Sequence, residues 1–461
     1  MEKKQRNQIM TVLFIGVLMG ALDIAIVGPA LPAMRNDLSV GDRALPWIFS
    51  IYVLFNLIGT PLMAKLSDLY GRRSIYVLDV GLFAFGSLLV ALSRGVDSFA
   101  LVLVGRAVQG FGAGGIFPVA SAVIGDTFPP EKRGGALGLI GAVFGLAFLI
   151  GPILGGLLLP LGWEWLFLIN LPVALVVIVL SLRTLPASHP DRSAAFDWIG
   201  MGVLSLALAA LAFGLNQIDT EHFFVSVGSL GVWPFLVVAV LGFVVLMRWI
   251  EPKAESPILP LRLFQRRQLR IGYMLTAGAG LGEASLVFMP LLAVGALGVK
   301  TSQASYLLMP VVLAMAFGSP LAGRLLDRLG SKVVILAGTL IFTAGVFLLS
   351  QFANFMGLFI LSGALIGLGL SALLGAPIRY ITLNEASVND RSAAQGVVTV
   401  FTSVGQLVGS AAVGAVAASR GGDVSGYSLA FAVIGGVGLL LVLAALVLKP
   451  RAAEVAALAE R

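Results

Sequence analysis

Apolar residues in this chain come in long unbroken runs, separated by short polar loops. A helix needs about 20 apolar residues to cross the hydrocarbon core of a bilayer. Fourteen runs reach that length, at 9–32, 46–65, 74–93, 98–125, 136–158, 165–183, 196–217, 230–250, 272–296, 304–325, 333–352, 356–380, 395–418 and 429–448. The strands of a membrane barrel would alternate polar and apolar positions, and these runs do not. Helices packed in lipid favour small residues at their contacts, and the chain holds 56 glycines. The pattern predicts an all-α polytopic membrane protein. The first run is too long for the core of a signal peptide and lacks an A-x-A-like cleavage site, so it reads as a retained helix.

Charge sets the orientation. If the N-terminus is cytoplasmic, the outer loops hold only Arg35, Arg43, Arg94, Lys300 and Arg420, and Arg106 is the only basic residue well inside a span. The rest of the 30 Lys and Arg residues fall on the N-terminal side. Inner loops are the basic ones, so both termini are expected in the cytoplasm. Trp163, Trp165, Trp198, Trp233 and Trp249 lie near span ends, as an interfacial belt would place them. The longest inner connection, 251–270, reads as an interfacial segment.

Composition agrees. Of 461 residues, 58% are hydrophobic and 11% charged, against about 25% charged in soluble chains. The net charge of +7 is accounted for by basic loops, so no nucleic-acid partner is expected. No cysteine is present, which excludes disulfides, thiolate metal sites and cysteine nucleophiles. His189 and His222 fall in loops. No metal or cofactor is expected.

Two loops repeat. A-K-L-S-D-L-Y-G-R-R (Ala64 to Arg73) follows the second run, and G-R-L-L-D-R-L-G-S-K (Gly323 to Lys332) follows the tenth. Each places Asp three residues before Gly. A weaker match joins 135–145 to 394–405. The chain therefore reads as two six-helix halves, 1–190 and 256–461, with two extra helices inserted at 191–255. Repeats sharing an axis along the membrane normal, with a site between them at the midplane, are a common transporter plan.

The first of these loops resembles the G-x-L-a-D-r-x-G-R-K signature of the major facilitator superfamily. Asp68, Gly71, Arg72 and Arg73 match it, while Ala64 and Leu69 depart from it. V-G-R-A-V-Q-G-F-G-A-G (Val104 to Gly114) is similar to that family's R-x-x-q-G motif. In the fifth run, Gly138, Gly151, Pro152, Gly155 and Gly156 match a helix-packing motif that resembles an exporter marker, with Ala147 in place of one glycine. W-E-W-L-F-L-I-N-L-P (Trp163 to Pro172) resembles the fourteen-span drug:proton antiporters. The resemblance covers nearly the whole chain. It implies a latch between the halves formed by Asp68, Gly71, Arg72 and Arg73 with Asp126, and by Asp327 in the repeat, closing the outward-facing state.

Three acids lie well within runs. Asp23 and Arg106 sit at similar depth, roughly eight or nine residues from the outer ends of their helices, at ~1.5 Å per residue. Charge inside a membrane normally needs a partner, so the two are expected to pair. Asp79 lies about five residues from the inner end of its run and is expected to snorkel or join the basic loop. Glu283 has no Lys or Arg nearby in sequence. Burial without a cation disfavours the ionised form of a carboxyl, and such a group can exchange protons near neutral pH. Asp23, Glu283 and Arg106 are the expected proton-coupling residues. Protons are the expected coupling ion, and one acid is expected in each half beside the cavity. Glu283, Asn56, Gln109, Phe117, Phe144, Phe288, Phe401 and Gln406 are the candidates for binding substrate, with Asn216 and Gln217 as further polar lining.

These expectations amount to a proton-coupled exporter of amphipathic, cationic drugs, acting as a monomer in a bacterial inner membrane by alternating access. A dedicated exporter of one metabolite, lipid or siderophore keeps the same fold. A membrane enzyme or receptor finds no P-loop, H-E-x-x-H or G-x-S-x-G in the chain and no loop long enough for a catalytic domain. A channel fits the two matched halves less well than alternating access does.

Overall fold

The computed structural model describes residues 3–38, 47–187, 196–219, 222–300 and 304–459. Arg43 and His189 lie outside them. Among the described residues there is no strand, and fourteen helices are long and apolar enough to cross a membrane. In chain order they are α1 (Lys4–Val27), α2 (Trp47–Tyr70), α3 (Arg72–Ser93), α4 (Phe99–Thr127), α5 (Pro130–Leu161), α6 (Trp165–Thr184), α7 (Trp198–Asn216), α8 (Trp233–Lys253), α9 (Arg267–Leu297), α10 (Tyr306–Leu329), α11 (Ser331–Phe352), α12 (Met356–Glu385), α13 (Val388–Ala418) and α14 (Val424–Leu446). Each matches one apolar run. With an even number of spans, both termini emerge on one face, called here the terminal face.

The reasons for the boundaries are local. Ser98 accepts from the Leu101 amide at the start of α4, Asp197 from Gly200 in α7, and Asp423 from Gly426 in α14, satisfying amides that a helix start leaves free. The chain turns between α2 and α3 at Gly71 (φ 96°) and between α10 and α11 at Gly330 (φ 84°). These are left-handed values that only glycine adopts readily, which is why the repeated loop keeps a glycine at that place.

The halves meet chiefly through α2 against α13 and α5 against α10, and α4 also touches α13 while the Ala376–Glu385 piece of α12 touches α5. The α5–α10 crossing is close because both helices are bare there. A side chain on Gly138 would begin 2.6 Å from the Ser319 carbonyl and 3.0 Å from the Gly323 backbone. Gly151 packs on Ala25 of α1, and Gly155 is buried. Gly156 differs from the sequence reading: it is exposed and nothing lies within 4 Å of where its side chain would be, so it makes no helix contact. The Pro152 side chain lies outside the described residues.

The inserted α7 packs on α8 and also touches α2 and α13. In α8 only Ala239, Leu246 and Glu251 are buried. Of the tryptophans, Trp165, Trp198, Trp233 and Trp249 are exposed as a belt would be. Trp163 is not: it is buried, and its Nε1 donates to Asp37 at 3.0 Å. Within the 251–270 connection, between the end of α8 at Lys253 and the start of α9 at Arg267, lies a short helix, Leu261–Gln265. Arg262 within it makes a two-pronged pair with Asp390, both bonds 2.7 Å.

Candidate functional site

A cavity of about 210 Å³ lies between the halves, lined by α1, α2, α4 and α5 on one side and α9, α10, α12 and α13 on the other. The inserted helices do not reach it. Most of the wall is apolar, with Phe117 and Phe144 in edge-to-face contact at 5.3 Å. Asn56, Glu283, Gln406 and Arg379 are among its polar groups.

Glu283 comes from the middle of α9 and is partly open to this space. Gln406 of α13 donates to its Oε2 at 2.8 Å. No cation pairs with it among the described residues. Two glycine contacts bring α9 and α13 together here: Gly280 lies on the Thr402 backbone and Gly409 on Leu281.

Asp23 is placed differently from the sequence reading. It does not line the cavity. It is fully buried within the N-terminal half, where Arg106 Nη1 donates to it at 2.6 Å and Gln109 Nε2 at 2.7 Å. Arg106 also donates to the Ile48 carbonyl and lies over the Tyr52 ring, 4.2 Å from its centre. Ser87 and Asn170 complete this polar cluster. Arg106 and Gln109 are therefore structural neighbours of the cavity wall and not lining groups.

Asp79 neither snorkels nor joins the basic loop. It is fully buried, its carboxyl oxygens have no hydrogen bond, and it lies against Gly115 of α4. Phe288 packs near Tyr427, and Phe401 stacks on Tyr273 at 5.4 Å; neither faces the cavity. Asn216 and Gln217 are exposed at the end of α7.

Arg379 is the residue the sequence reading missed. Its apolar run extends to position 380, which put this arginine at an edge. The helix instead breaks into Met356–Leu374 and Ala376–Glu385, and Arg379 lies in the first turn of the second piece, buried inside the bundle. The G-A-P string at 375–377 was the available signal, since Gly and Pro break helices.

At the terminal face the repeated loops meet the opposite halves. Asp68 accepts from the backbone amides of Ser392 (3.2 Å) and Ala393 (2.8 Å) at the start of α13. Asp327 accepts from Gly134 (3.0 Å) and Gly135 (2.9 Å) near the start of α5. Each half thus places one carboxylate near a helix start of the other, where backbone dipoles favour an anion. Arg72 pairs with Asp68, reaches Asp126 at 3.1 Å, and donates to Ser392 Oγ at 2.7 Å. Arg391 of the other half donates to Asp126 at 2.6 Å. Arg73 stands apart from this network: it donates to the Leu182 carbonyl of α6, within its own half.

Two matched helix bundles around a cavity between them, tied at one face by reciprocal caps, are the architecture of a membrane transporter. The chain matches the family model of the Major Facilitator Superfamily over residues 13–307 and 272–461. It is 33% identical over 410 residues to the uncharacterized MFS-type transporter YfiU of Bacillus subtilis, covering 88% of this chain and 78% of that one. It is 30% identical over 433 residues to the multidrug transporter protein MdtP of the same organism (92% and 77% covered). It is 32% identical over 418 residues to the tetracenomycin C resistance and export protein of Streptomyces glaucescens (89% and 76% covered). The fold is similar to the crystal structure of the human organic anion transporter MFSD10 (TM-score 0.72, 18% identity, 96% of this chain and 100% of that one). It is also similar to that of FucP in the outward conformation (TM-score 0.65, 15% identity, 94% and 97%). The chain belongs to the Major Facilitator Superfamily, and it is a multi-pass transporter of small molecules.

Proposed function

We propose that this protein exports amphipathic drugs in exchange for protons, with Glu283 as the coupling carboxyl. One observation carries the reading: a membrane-embedded carboxyl opens onto the cavity between the halves with only an amide as partner. Ionised, Glu283 attracts a cationic group, and the facing Phe117 and Phe144 supply apolar contact. Protonated, it loses that attraction and releases the cargo. A carboxyl that must be either protonated or occupied couples the two events. Asp23 is not used in this scheme, because Arg106 already compensates its charge.

The caps at the terminal face support alternating access, since they hold when that face is closed and must break for the cavity to open there. The basic loops support assigning that face to the cytoplasm, and the bacterial relatives support the inner membrane. A narrower reading, a dedicated exporter of one compound, is favoured by a single observation: one relative is named for export of tetracenomycin C.

The test is ethidium transport in proteoliposomes driven by a pH gradient. Wild type is expected to move the dye against its gradient, and Glu283→Gln to lose the dependence on pH. Full proton-driven flux in that variant would overturn the proposal.

A further inference from the structure

Resting on the exporter reading, we propose that the cavity holds an anion subsite made by Arg379 and the start of the Ala376–Glu385 half-helix, so that its preferred cargo is amphoteric, carrying an acid group as well as a cation.

Arg379 is 6% exposed, yet it lines the cavity. A guanidinium carries five N–H donors in a flat fork suited to a carboxylate. Only part of that capacity is used. Nη1 donates to Gln395 Oε1 at 3.1 Å, Nη2 reaches Thr399 Oγ1 at 3.5 Å, the outer limit for a hydrogen bond, and Nε has no partner. Among the described residues no carboxylate pairs with it. Compare Arg106, the other arginine deep in the bundle, which has Asp23 at 2.6 Å. Membrane-embedded cations normally have such a partner, and Arg379 lacks one among the described residues.

Its neighbours hold it in place without neutralising it. Gln395 accepts from the guanidinium through Oε1, and its Nε2 donates to the Arg379 carbonyl at 2.9 Å. Phe117 lies under the guanidinium, 3.9 Å from Cζ to the ring centre. Both contacts leave the charge intact, and both fix its direction.

The backbone supplies a second, independent feature. Gly375 is non-helical (φ −86°, ψ −142°) and lines the cavity. Irregular backbone at membrane depth is tolerated where it borders a cavity. A ten-residue helix begins immediately after it, so its positive dipole end lies at the cavity, where it favours an anion. Glu283 offers a negative group to the same space. A cargo bearing both charges satisfies both, whereas a simple cation leaves Arg379 unmatched.

The probes are rhodamine B, which has a free carboxylate beside its cationic ring system, and its ethyl ester, a plain cation. Equilibrium binding to purified full-length protein is measured at one fixed pH. Arg379→Gln is expected to weaken rhodamine B by about tenfold or more, ~1.4 kcal/mol, and the ester far less; Arg379→Lys should keep much of the preference. Because the chain has no cysteine, Arg379→Cys adds a check independent of Gln folding behaviour. Labelling it with an ammonium-bearing methanethiosulfonate should restore rhodamine B binding, and a sulfonate-bearing one should not. Equal losses for both dyes, no change for either, or a wild type that binds the ester but not the acid would each overturn the subsite. The exporter reading fails on a different result, absence of pH-driven flux, so the two failures are told apart.

Discussion

Asp68→Asn removes a charge that joins the two halves. In the wild type, the carboxylate accepts from two amides of α13, at 3.2 and 2.8 Å. Asparagine keeps one acceptor oxygen and no charge. Hydrogen bonds to charged groups contribute ~1.5–3 kcal/mol each, and an anion at a helix start adds ~0.3–1 kcal/mol. The Asp68–Arg72 pair lies within one half and survives opening, so its loss affects both states about equally. The contacts to α13 exist only while the terminal face is closed. A net loss of ~1.5–3 kcal/mol therefore falls on the closed state, a shift of roughly ten- to 150-fold in the conformational equilibrium. Spin labels at Tyr70→Cys and Asn389→Cys read it directly, since both positions are exposed, on opposite halves, and no native cysteine competes. The wild type should give one short distance distribution, and Asp68→Asn a second, longer population. An unchanged distribution would mean that Asp68 does not hold the terminal face closed. Asp327→Asn, which frees Gly134 and Gly135, should act in the same direction.

Three other outcomes are expected. Asp23→Asn leaves Arg106 buried without its counter-charge, which costs ~3–5 kcal/mol, so thermal unfolding of the purified protein should fall well below that of Glu283→Gln; equal stability would contradict the structural role given to this pair. Restoring neutrality with Asp23→Asn and Arg106→Gln together should recover part of the loss in the same melt. Gly138→Leu places a side chain where α5 meets the Ser319 carbonyl and Gly323. Overpacking of this kind costs ~1–3 kcal/mol, and labels across α5 and α10 should report a wider crossing.

What was readable beforehand follows from what each signal measures. Run length along the chain reports only whether a segment can span, and all fourteen helices were found that way. Depth counted from a helix end placed Asp23 beside Arg106 correctly, because depth is a one-dimensional quantity. Which face a residue takes depends on helix rotation, and these helices are apolar nearly all round. That is why Asp23, Gln109, Phe288 and Phe401 were expected at the cavity and are not there, while Asn56, Phe117, Phe144 and Gln406 are. The break in α12 was hidden for a related reason: an apolar run continues across it, and only Gly375 and Pro377 mark the interruption. The backbone amides that bind Asp68 and Asp327 from the opposite half lie more than 190 positions away in sequence. The repeat showed that the two loops correspond, but not that each would cap the other half.

If Glu283 exchanges a proton for cargo, cargo binding must displace a proton, and proton release on binding tests this with the fewest steps. Ethidium is added to purified protein in weakly buffered detergent near neutral pH, and the pH change is recorded. The wild type is expected to release about one proton or less per bound dye, as linkage requires when binding favours the ionised carboxyl, and Glu283→Gln none. Equal release from both proteins would contradict that exchange.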